Sequence, residues 1–425
     1  MTDFDGVDFF RGDELITDPY PYFDHLRRQC PVHAEPHHGV TMVTGYDEAV
    51  AIFADPQTFS SCNSVTGPFP GLPVPLEGDD VSDVIEQYRD QLPFSDQLPT
   101  MDPPEHKAHR GLLMRLLTPK RLRENEDFMW RRADGQIDEL VARGECELVG
   151  DFAGPFTLYV IADLLGVPEG DHETFRQELQ GGHDRNRVVG SAKRPLGHTP
   201  LEFLYDRFAV YVEDRRRRPR DDVLTSLALA TFPDGTTPEV IDVVRVAANL
   251  FSAGQETTVR LLAAAFQVIA ERPDLQRRLR DDPDRIPDFV EECLRIESPV
   301  KGDFRLARRP ASVGGVDIPA GTTVMVVNGA ANRDPRRFTE PNVFDLDRPN
   351  AREHLAFGRG IHACPGGPLA RAEARVAIAR LLERTGDITI SGAAHGPAGA
   401  RRYEYAPTYI LRGLRRLHLQ LTPAG

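Results

Sequence analysis

The sequence predicts a mainly α-helical protein with small β-sheets, folded as a single domain over residues 1–425. A long stretch after Thr237 is apolar around most of its circumference, which is typical of a buried helix. Strand-like stretches are confined to residues 32–43, 313–327 and 409–421. The 35 Pro are dispersed along the chain and no internal repeat is present, so one interlocked domain is favoured over two.

Composition excludes several classes of partner. The formal net charge of -14 argues against nucleic acid, because proteins that bind it usually present a basic surface. Residues 1–15 are acidic and show no basic segment followed by an apolar one, as a signal peptide would. Charge or Pro interrupts every apolar run before the roughly 20 residues that a membrane span requires. We expect a soluble, cytoplasmic protein with no membrane partner, and we expect a monomer.

The cysteines give no sign of a disulfide framework. The five of them occur singly, at Cys30, Cys62, Cys146, Cys293 and Cys364. None belongs to a CxxC pair or to a metal-finger spacing. An odd number of thiols in a reducing compartment raises the question of which one takes part in chemistry.

The segment 63–99 is rich in Gly and Pro around a short helical patch at residues 84–88. Long loops in compact domains often act as lids or binding loops. A solvated surface loop is an equally good interpretation of this segment taken alone.

The clearest helix is predicted to begin with Thr237 as N-cap and Pro238 at the first helical position, and to continue to Pro273. About 33 residues at 1.5 Å each give a length of about 50 Å. The side chains expected to be buried are Val243, Val246, Ala247, Leu250, Phe251, Leu261, Leu262, Ala265, Phe266 and Ile269.

The middle of this helix, residues 253–258 (AGQETT), is small, polar and a weak helix former. Gly254 can admit a large neighbour, and a Thr hydroxyl can divert a helix carbonyl or hold water. A packing or kink role is therefore the ordinary interpretation of the patch by itself.

Residues 357–366 (FGRGIHACPG) place Cys364 after a Gly-rich loop and before a predicted helix at 368–384. Backbone N–H groups and the dipole at a helix N-terminus favour the thiolate that a metal ligand requires. The glycines at 358, 360, 366 and 367 would let a flat macrocycle lie against the backbone. A lone cysteine outside such a pattern would more often be a small buried hydrophobe.

The spacing around Cys364 resembles the haem-binding loop of the cytochrome P450 family. The matching positions are Phe357, Gly358, Gly360, His362 and Gly366. Upstream, Glu292 and Arg295 match the ExxR helix of the family, and residues 338–348 match the segment that supplies Arg348. The resemblance extends over nearly the whole chain, from DPYPY at 18–22 to LRGL at 411–414.

The resemblance implies a triangular helical prism in which haem b lies between the long central helix and the helix after Cys364. The sulfur of Cys364 would be the axial ligand of the iron. Glu292, Arg295 and Arg348 would form a buried network that braces the underside of the haem loop. The alternative for an isolated ExxR is a weak surface ion pair.

By the same resemblance, Ala253 and Gly254 belong to the groove in which oxygen is activated. Glu256 would be the acid and Thr257 the alcohol of a proton relay. The chain departs from the common family pattern at Glu256, where Asp is frequent, and at Pro365, which replaces an aliphatic residue after the ligand and removes one backbone N–H.

Haem propionates must find cations or hydrogen-bond donors when they are buried. The resemblance assigns this role to His106, Arg110, Arg305 and His362. The run Arg215–Arg218 is instead predicted to be a solvated helix end flanked by acidic residues.

The resemblance also places a substrate pocket around the central helix, the loop 63–99 and two later segments. The predicted pocket residues are Ala248, Asn249, Ser252, Val300, Lys301, Phe304 and Ile410. This mostly apolar set implies a hydrophobic molecule such as a terpenoid, steroid, fatty acid or alkyl-aromatic, with Asn249 and Lys301 as polar handles.

Electrons would come from a ferredoxin or flavodoxin with an NAD(P)H-dependent reductase, and the oxidant would be O2. A basic patch for an acidic donor is expected near the haem loop, from Arg110, Arg115 and Arg359. Two alternatives are kept, namely a haem enzyme that uses peroxide or rearranges its substrate and a non-catalytic haem sensor or carrier. The acid and alcohol pair argues against both.

Overall fold

The computed structural model describes residues 4, 6–180 and 199–424. The prediction of a mainly helical fold is confirmed. Within the described residues the helices are α1 Tyr20–Gln29, α2 Tyr46–Ala54, α3 Ser82–Tyr88, α4 Glu105–Met114, α5 Pro119–Arg143, α6 Gly154–Leu165, α7 His172–Gln180, α8 Thr199–Arg217, α9 Val223–Ala228, α10 Val240–Glu271, α11 Pro273–Asp281, α12 Ile286–Glu297, α13 Asn328–Ala331, α14 Gly367–Arg384 and α15 Gly392–His395.

The strands are short and form three small sheets. They are β1 Val32–Ala34, β2 Thr41–Val43, β3 Phe59–Ser60, β4 Glu145–Glu147, β5 Asp303–Ala307, β6 Ala311–Val313, β7 Val316–Ile318, β8 Thr323–Val326, β9 Thr385–Ile390 and β10 His418–Pro423. The largest sheet has the order β1-β2-β8-β5-β3, with β2 parallel to β8 and the other pairs antiparallel. The second sheet is β4-β10-β9, and β6 pairs with β7.

The strand predictions are confirmed in place but not in extent. Residues 32–43 form a hairpin of two strands, in which Val32 pairs with Val43. Near the end of the chain, only His418–Pro423 is a strand, and Leu411 and Leu414 each make an isolated bridge. Short strands such as β3 and β4 escaped prediction because two or three residues carry too little periodicity to be recognised.

The central helix α10 is 32 residues long, which corresponds to about 48 Å. Every apolar position predicted to be buried on it is buried, because α10 packs against α6, α8 and α14. The prediction of Thr237 as the N-cap is wrong. Glu239 caps the helix in a reciprocal capping box with Asp242, so the first turn starts after Pro238.

The loop 63–99 carries α3 where a helical patch was predicted, and its two ends are tied to one buried carboxylate. Asp102 accepts hydrogen bonds from Ser60 Oγ at 2.5 Å and from the backbone N–H of Ser61 at 2.8 Å. Arg89, within the loop, also donates to Asp102, at 2.6 Å. This network fixes both ends of the loop 63–99, and Arg89 within it, to the side chain of Asp102.

The arginine run at the end of α8 is not the solvated helix end that the sequence predicted. Arg215 is buried and forms ion pairs with Asp214 at 2.6 Å and Asp222 at 2.7 Å. Arg216 donates to the carbonyl of Pro238 at 2.7 Å, just before α10. The acidic residues that flank the run were predicted correctly, but they pair with its arginines. Of the four arginines, Arg217 and Arg218 are exposed.

None of the helices in the described part of the chain is both long enough and apolar enough to span a membrane. The single domain stays a prediction.

Candidate active site

A cavity of about 360 Å³ lies between α10, the loop before α14 and the loop 63–99. All the residues predicted to contact the cofactor line it: His106, Arg110, Ala253, Gly254, Arg305, Phe357, Gly358, His362, Cys364 and Gly366. Glu256 and Thr257 line it as well. Segments separated by up to about 260 residues in sequence are thus brought to one cavity.

The loop before α14 is shaped by backbone bonds and by glycine. The N–H of Cys364 donates to the carbonyl of Phe357 at 2.8 Å, which closes the loop. Gly360 has φ +73°, and a Cβ there would lie 2.3 Å from the carbonyl oxygen of Phe53. Gly360 is therefore required by its contact with α2. Gly358 has φ +62° and no neighbour closer than 4.0 Å, so it keeps the cavity wall open.

The thiol of Cys364 is exposed to the cavity three residues before α14 begins. Burial raises its pKa, and this effect outweighs the backbone N–H groups of Gly366 and Gly367 and the charge of Arg110, which lower it. As predicted, the N–H groups at the start of α14 favour the thiolate, but burial raises the pKa of the thiol by more than these groups lower it. A bound cation is what would complete the stabilisation of a thiolate here.

Glu292, Arg295 and Arg348 form the predicted buried network. Arg295 donates to both oxygens of Glu292 at 2.7 Å, and Arg348 Nε donates to Glu292 Oε1 at 3.0 Å. The guanidinium groups also bond carbonyls of the segment before Arg348, among them that of Val343. The network therefore ties α12 to residues 339–348, with all its charges paired.

Glu291 on α12, which sequence reasoning missed, bonds residues on either side of the cysteine loop. Its carboxylate bonds His354 Nε2 at 3.1 Å and Arg371 Nε at 2.5 Å. Burial opposes its ionisation, but these two bonds lower the pKa of Glu291 to about 2. Arg371 in turn lies over the ring of Phe357, at 4.6 Å from its centroid. The ExxR motif contains Glu292 but not Glu291, so the sequence pattern assigned no role to Glu291.

Two imidazoles lie together at one side of the cavity without partners for their ring nitrogens. The rings of His106 and His362 are 4.0 Å apart, and the Nε2 of each is buried and not hydrogen-bonded. Burial lowers the pKa of His106 to about 4 and that of His362 to about 3. Arg110 donates to the carbonyl of Ala363 at 2.6 Å, and burial lowers the pKa of Arg305. Buried donors and cations in this state fit an anionic group.

On the opposite wall, α10 is continuous through residues 253–258, so no break in the helix accompanies the polar patch. Thr257 Oγ1 donates to the carbonyl of Ala253 at 2.9 Å. Glu256 is paired with Arg260, and its side chain is 39% exposed. A Cβ on Gly254 would lie 3.4 Å from Ile161 on α6, which is ordinary contact, so packing between α10 and α6 does not by itself require glycine there. The acid and the alcohol are adjacent but not bonded to each other in the described structure.

The contact between the two walls is another feature that the sequence did not reveal. Glu373 on α14 is buried beside Thr258 on α10, whose hydroxyl slightly favours the ionised carboxyl by lowering the pKa of Glu373. Burial raises the pKa of Glu373 to about 8, so its carboxyl is largely protonated at neutral pH. The available signal was a lone Glu in helical register with Leu369 and Ala377, which are both buried.

The predicted pocket residues divide into two groups. Asn249, Ser252, Val300 and Ile410 line the cavity. Ala248, Lys301 and Phe304 lie outside the described cavity lining.

Each of these three side chains packs elsewhere. Ala248 has no exposed surface and belongs to the main hydrophobic core. Lys301 Nζ donates to the carbonyl of Thr408 at 2.6 Å, and burial lowers its pKa to about 7. Phe304 packs against Phe10 and Tyr409. For Phe304 on β5, alternation along the strand turns the side chain away from the cavity that Asp303 and Arg305 face.

The fold and the cavity together define a class of protein. A thiol beneath a long helix, a Gly-lined wall and unpaired imidazoles beside buried arginines fit a flat, anionic, iron-bearing macrocycle. The site therefore has the features of a haem pocket with a cysteine on one side and a long helix that carries an acid and an alcohol on the other.

Comparison with known proteins identifies the family. The family description Cytochrome P450 matches residues 202–385. Cytochrome P450 144 of Mycobacterium tuberculosis is 31% identical over 96% of this chain and 90% of its own length. The cytochrome P450 monooxygenase PikC of Streptomyces venezuelae is 32% identical over 96% of this chain and 92% of its own.

Among solved structures, cytochrome P450 CYP150A6 of Mycobacterium marinum in its substrate-free form is 56% identical. It covers 100% of both chains with a TM-score of 0.94. The chain belongs to the cytochrome P450 family. It is an oxidoreductase that incorporates oxygen from O2 and its cofactor is haem b.

Proposed function

We propose that this monooxygenase holds haem b with Cys364 Sγ as the iron ligand and hydroxylates a hydrophobic small organic molecule. The observation that carries the proposal is the position of Cys364 in the same cavity as Thr257, on the opposite wall. Haem b supplies the redox-active iron for reduction of O2 and insertion of one oxygen atom into the substrate.

His106, Arg110, Arg305 and His362 would hold the two carboxylates of the haem. His106 and His362 have the unpaired buried Nε2 atoms that such a group would satisfy. Arg305 is buried next to Asp303 and Asp102, so its charge is already partly balanced. The histidines are therefore the groups with the most to gain from an anionic partner.

Thr257 and Glu256 would move protons toward the cavity. Thr257 Oγ1 can turn from the carbonyl of Ala253 and donate into the cavity. The half-exposed carboxylate of Glu256 can then exchange protons with solvent once it leaves Arg260. The ion pair with Arg260 therefore competes with the proton relay for the carboxylate of Glu256.

The substrate would lie against an apolar lining with few polar groups. Val65, Leu98, Leu250, Val300 and Ile410 contribute the apolar surface. Asn249 and Ser252 on α10 are the polar handles that remain, since Lys301 bonds a backbone carbonyl outside the cavity. This lining supports a terpenoid, steroid, fatty acid or alkyl-aromatic substrate.

Electron supply is proposed to come from a ferredoxin or flavodoxin with an NAD(P)H-dependent reductase. Arg110 joins α4 to the cysteine loop through the carbonyl of Ala363. On these two segments Arg115 and Arg359 are exposed, together with Met114 (44% exposed) and Ile361 (38% exposed). Exposed arginines around apolar side chains support docking of a small acidic protein.

The test compares turnover of one substrate under two conditions. A surrogate ferredoxin, its reductase, NADH and O2 should give product, whereas peroxide alone should give little. Efficient turnover by peroxide alone would favour the peroxide-using alternative. Substrates can be found beforehand by the change of ferric spin state that they cause. Location in the cytoplasm and a monomeric state remain predictions.

A further inference from the structure

Asp8, Glu35 and His38 form a cluster outside the haem cavity lining. Asp8 belongs to the N-terminal segment, whereas Glu35 and His38 lie in the turn between β1 and β2. One ligand atom from each residue lies within 4.8 Å of the other two. Within residues 6–180 and 199–424, no other three His, Cys, Asp or Glu side chains come together in this way.

Each carboxylate in the cluster uses one oxygen to accept backbone N–H groups. Asp8 Oδ1 accepts from Phe10 and Arg11, both at 3.0 Å, and Glu35 Oε2 accepts from His38 at 2.7 Å. These bonds hold the carboxylates so that the second oxygen of each is free of the backbone. His38 Nε2 lies 2.9 Å from Asp8 Oδ2 and 3.0 Å from Asp8 Oδ1.

The unsatisfied atom of the cluster is Glu35 Oε1. Glu35 is only 2% exposed, and this oxygen is buried with no hydrogen-bond partner. In the described part of the chain, the one ion pair of the cluster joins His38 to Asp8 and leaves Glu35 without a cation. Burial, followed by the negative charges of Glu35 and Asp8, raises the pKa of the nearby Tyr22 to about 12.

We propose that Asp8, Glu35 and His38 bind one divalent transition-metal ion, for which Zn²⁺ is the appropriate probe. An imidazole nitrogen with two carboxylate oxygens is a Zn²⁺ donor set, whereas Ca²⁺ and Mg²⁺ prefer oxygen alone. Zn²⁺ binds such atoms at about 2.0–2.2 Å, so Glu35 would move inward and water would take the fourth position. The backbone N–H groups that donate to the carboxylates of Asp8 and Glu35 would orient them as metal ligands.

The ion would connect three parts of the chain. The rings of Phe10 and Phe69 pack edge-on against His38, at 5.6 Å and 5.0 Å. Phe69 belongs to the loop 63–99, whose residues Ser64 and Val65 line the haem cavity. Metal binding therefore stabilises the N-terminal segment and the β1–β2 turn next to this loop.

The first experiment is a calorimetric titration of Zn²⁺ into the chelator-treated haem protein. The wild type should bind one equivalent that Glu35→Gln and His38→Gln bind at least about tenfold more weakly. His37→Gln is the matched control, because His37 is exposed in the same turn and outside the cluster. Absence of that equivalent, or its equal loss in His37→Gln, overturns the proposal.

The second experiment covers the case in which a variant folds poorly. Midpoint temperatures of unfolding are measured with and without Zn²⁺, after the haem absorption spectrum has shown each variant to be folded. A Zn²⁺-dependent rise in the wild type and His37→Gln that is missing in Glu35→Gln and Asp8→Asn supports the site. An equal rise in every variant places the metal elsewhere and rejects it. The haem spectrum also keeps this result separate from the proposed function.

Discussion

The two walls of the haem cavity differ in how their polar groups are paired. Behind the cysteine loop, Glu291 and Glu292 are buried, and each carboxylate is bonded to two other side chains. On α10, Glu256 is half exposed with one ion pair, and Thr257 bonds its own helix. Groups that are fully paired in a buried place preserve a shape, whereas groups with spare bonding capacity beside a cavity can exchange protons.

The largest expected effect is that of Cys364→Ala, which removes the proposed iron ligand. Monooxygenation should be abolished, and the reduced carbonyl complex should lose the absorption typical of thiolate ligation. Cys30→Ser is the control, since Cys30 lies outside the cavity lining and should leave the spectrum unchanged. A thiolate-type spectrum in Cys364→Ala would show that another residue ligates the iron.

Breaking the buried network should cost stability. Glu292→Gln leaves Arg295 and Arg348 with an uncompensated buried charge, for which we expect a loss of about 3–5 kcal/mol in the free energy of unfolding. Glu124→Gln removes two long surface pairs, with Lys120 and Arg121, and should cost less than about 1 kcal/mol. Denaturant titration measures both, and equal losses would contradict the contrast between the two kinds of ion pair.

Thr257→Val tests the α10 wall. Loss of the hydroxyl should reduce product formation by about 100-fold, in the range of a lost proton-transfer group, while NADH oxidation continues. Stability should change little, since the bond from Thr257 to Ala253 lies within one helix. Thr237→Val, outside α10, is the control. Unchanged product per NADH in Thr257→Val would remove Thr257 from the relay.

The last prediction, a dependence of stability on pH, concerns the contact between the walls. Because burial raises the pKa of Glu373 from 4.5 to about 8, the folded carboxyl keeps a proton that the unfolded one releases in this window. The free energy of unfolding of the wild type should therefore fall, relative to Glu373→Gln, as pH rises from about 5 to about 8. Glu383→Gln, at an exposed position of α14, should show no such trend. Parallel pH profiles for wild type and Glu373→Gln would mean that Glu373 is ionised in the fold.

Local pattern was enough for the features that depend on a few neighbouring residues or on one helical period. The apolar face of α10, the helix after Cys364 and the pairing of Glu292 with Arg295 could all be predicted, because spacing along a helix decides which side chains share a face. The loop around Cys364 was recognised for the same reason, since its glycines occur at set distances from the cysteine.

Other features depended on which distant segments meet, and sequence spacing carries no such information. Lys301 lies outside the cavity because its Nζ bonds the carbonyl of Thr408. Phe304 lies outside it because its ring packs against Tyr409. Glu291 became the brace of the cysteine loop only because His354 and Arg371 reach it.

The sequence by itself determined the family, the fold class and most of the predicted residues that line the cavity. Only the tertiary structure decided the burial of Glu373, the pairing of Arg215 and the meeting of Asp8 with Glu35 and His38. The physical reason is that hydration and charge pairing depend on three-dimensional neighbours, so a carboxylate has no predictable environment until the chain has packed around it.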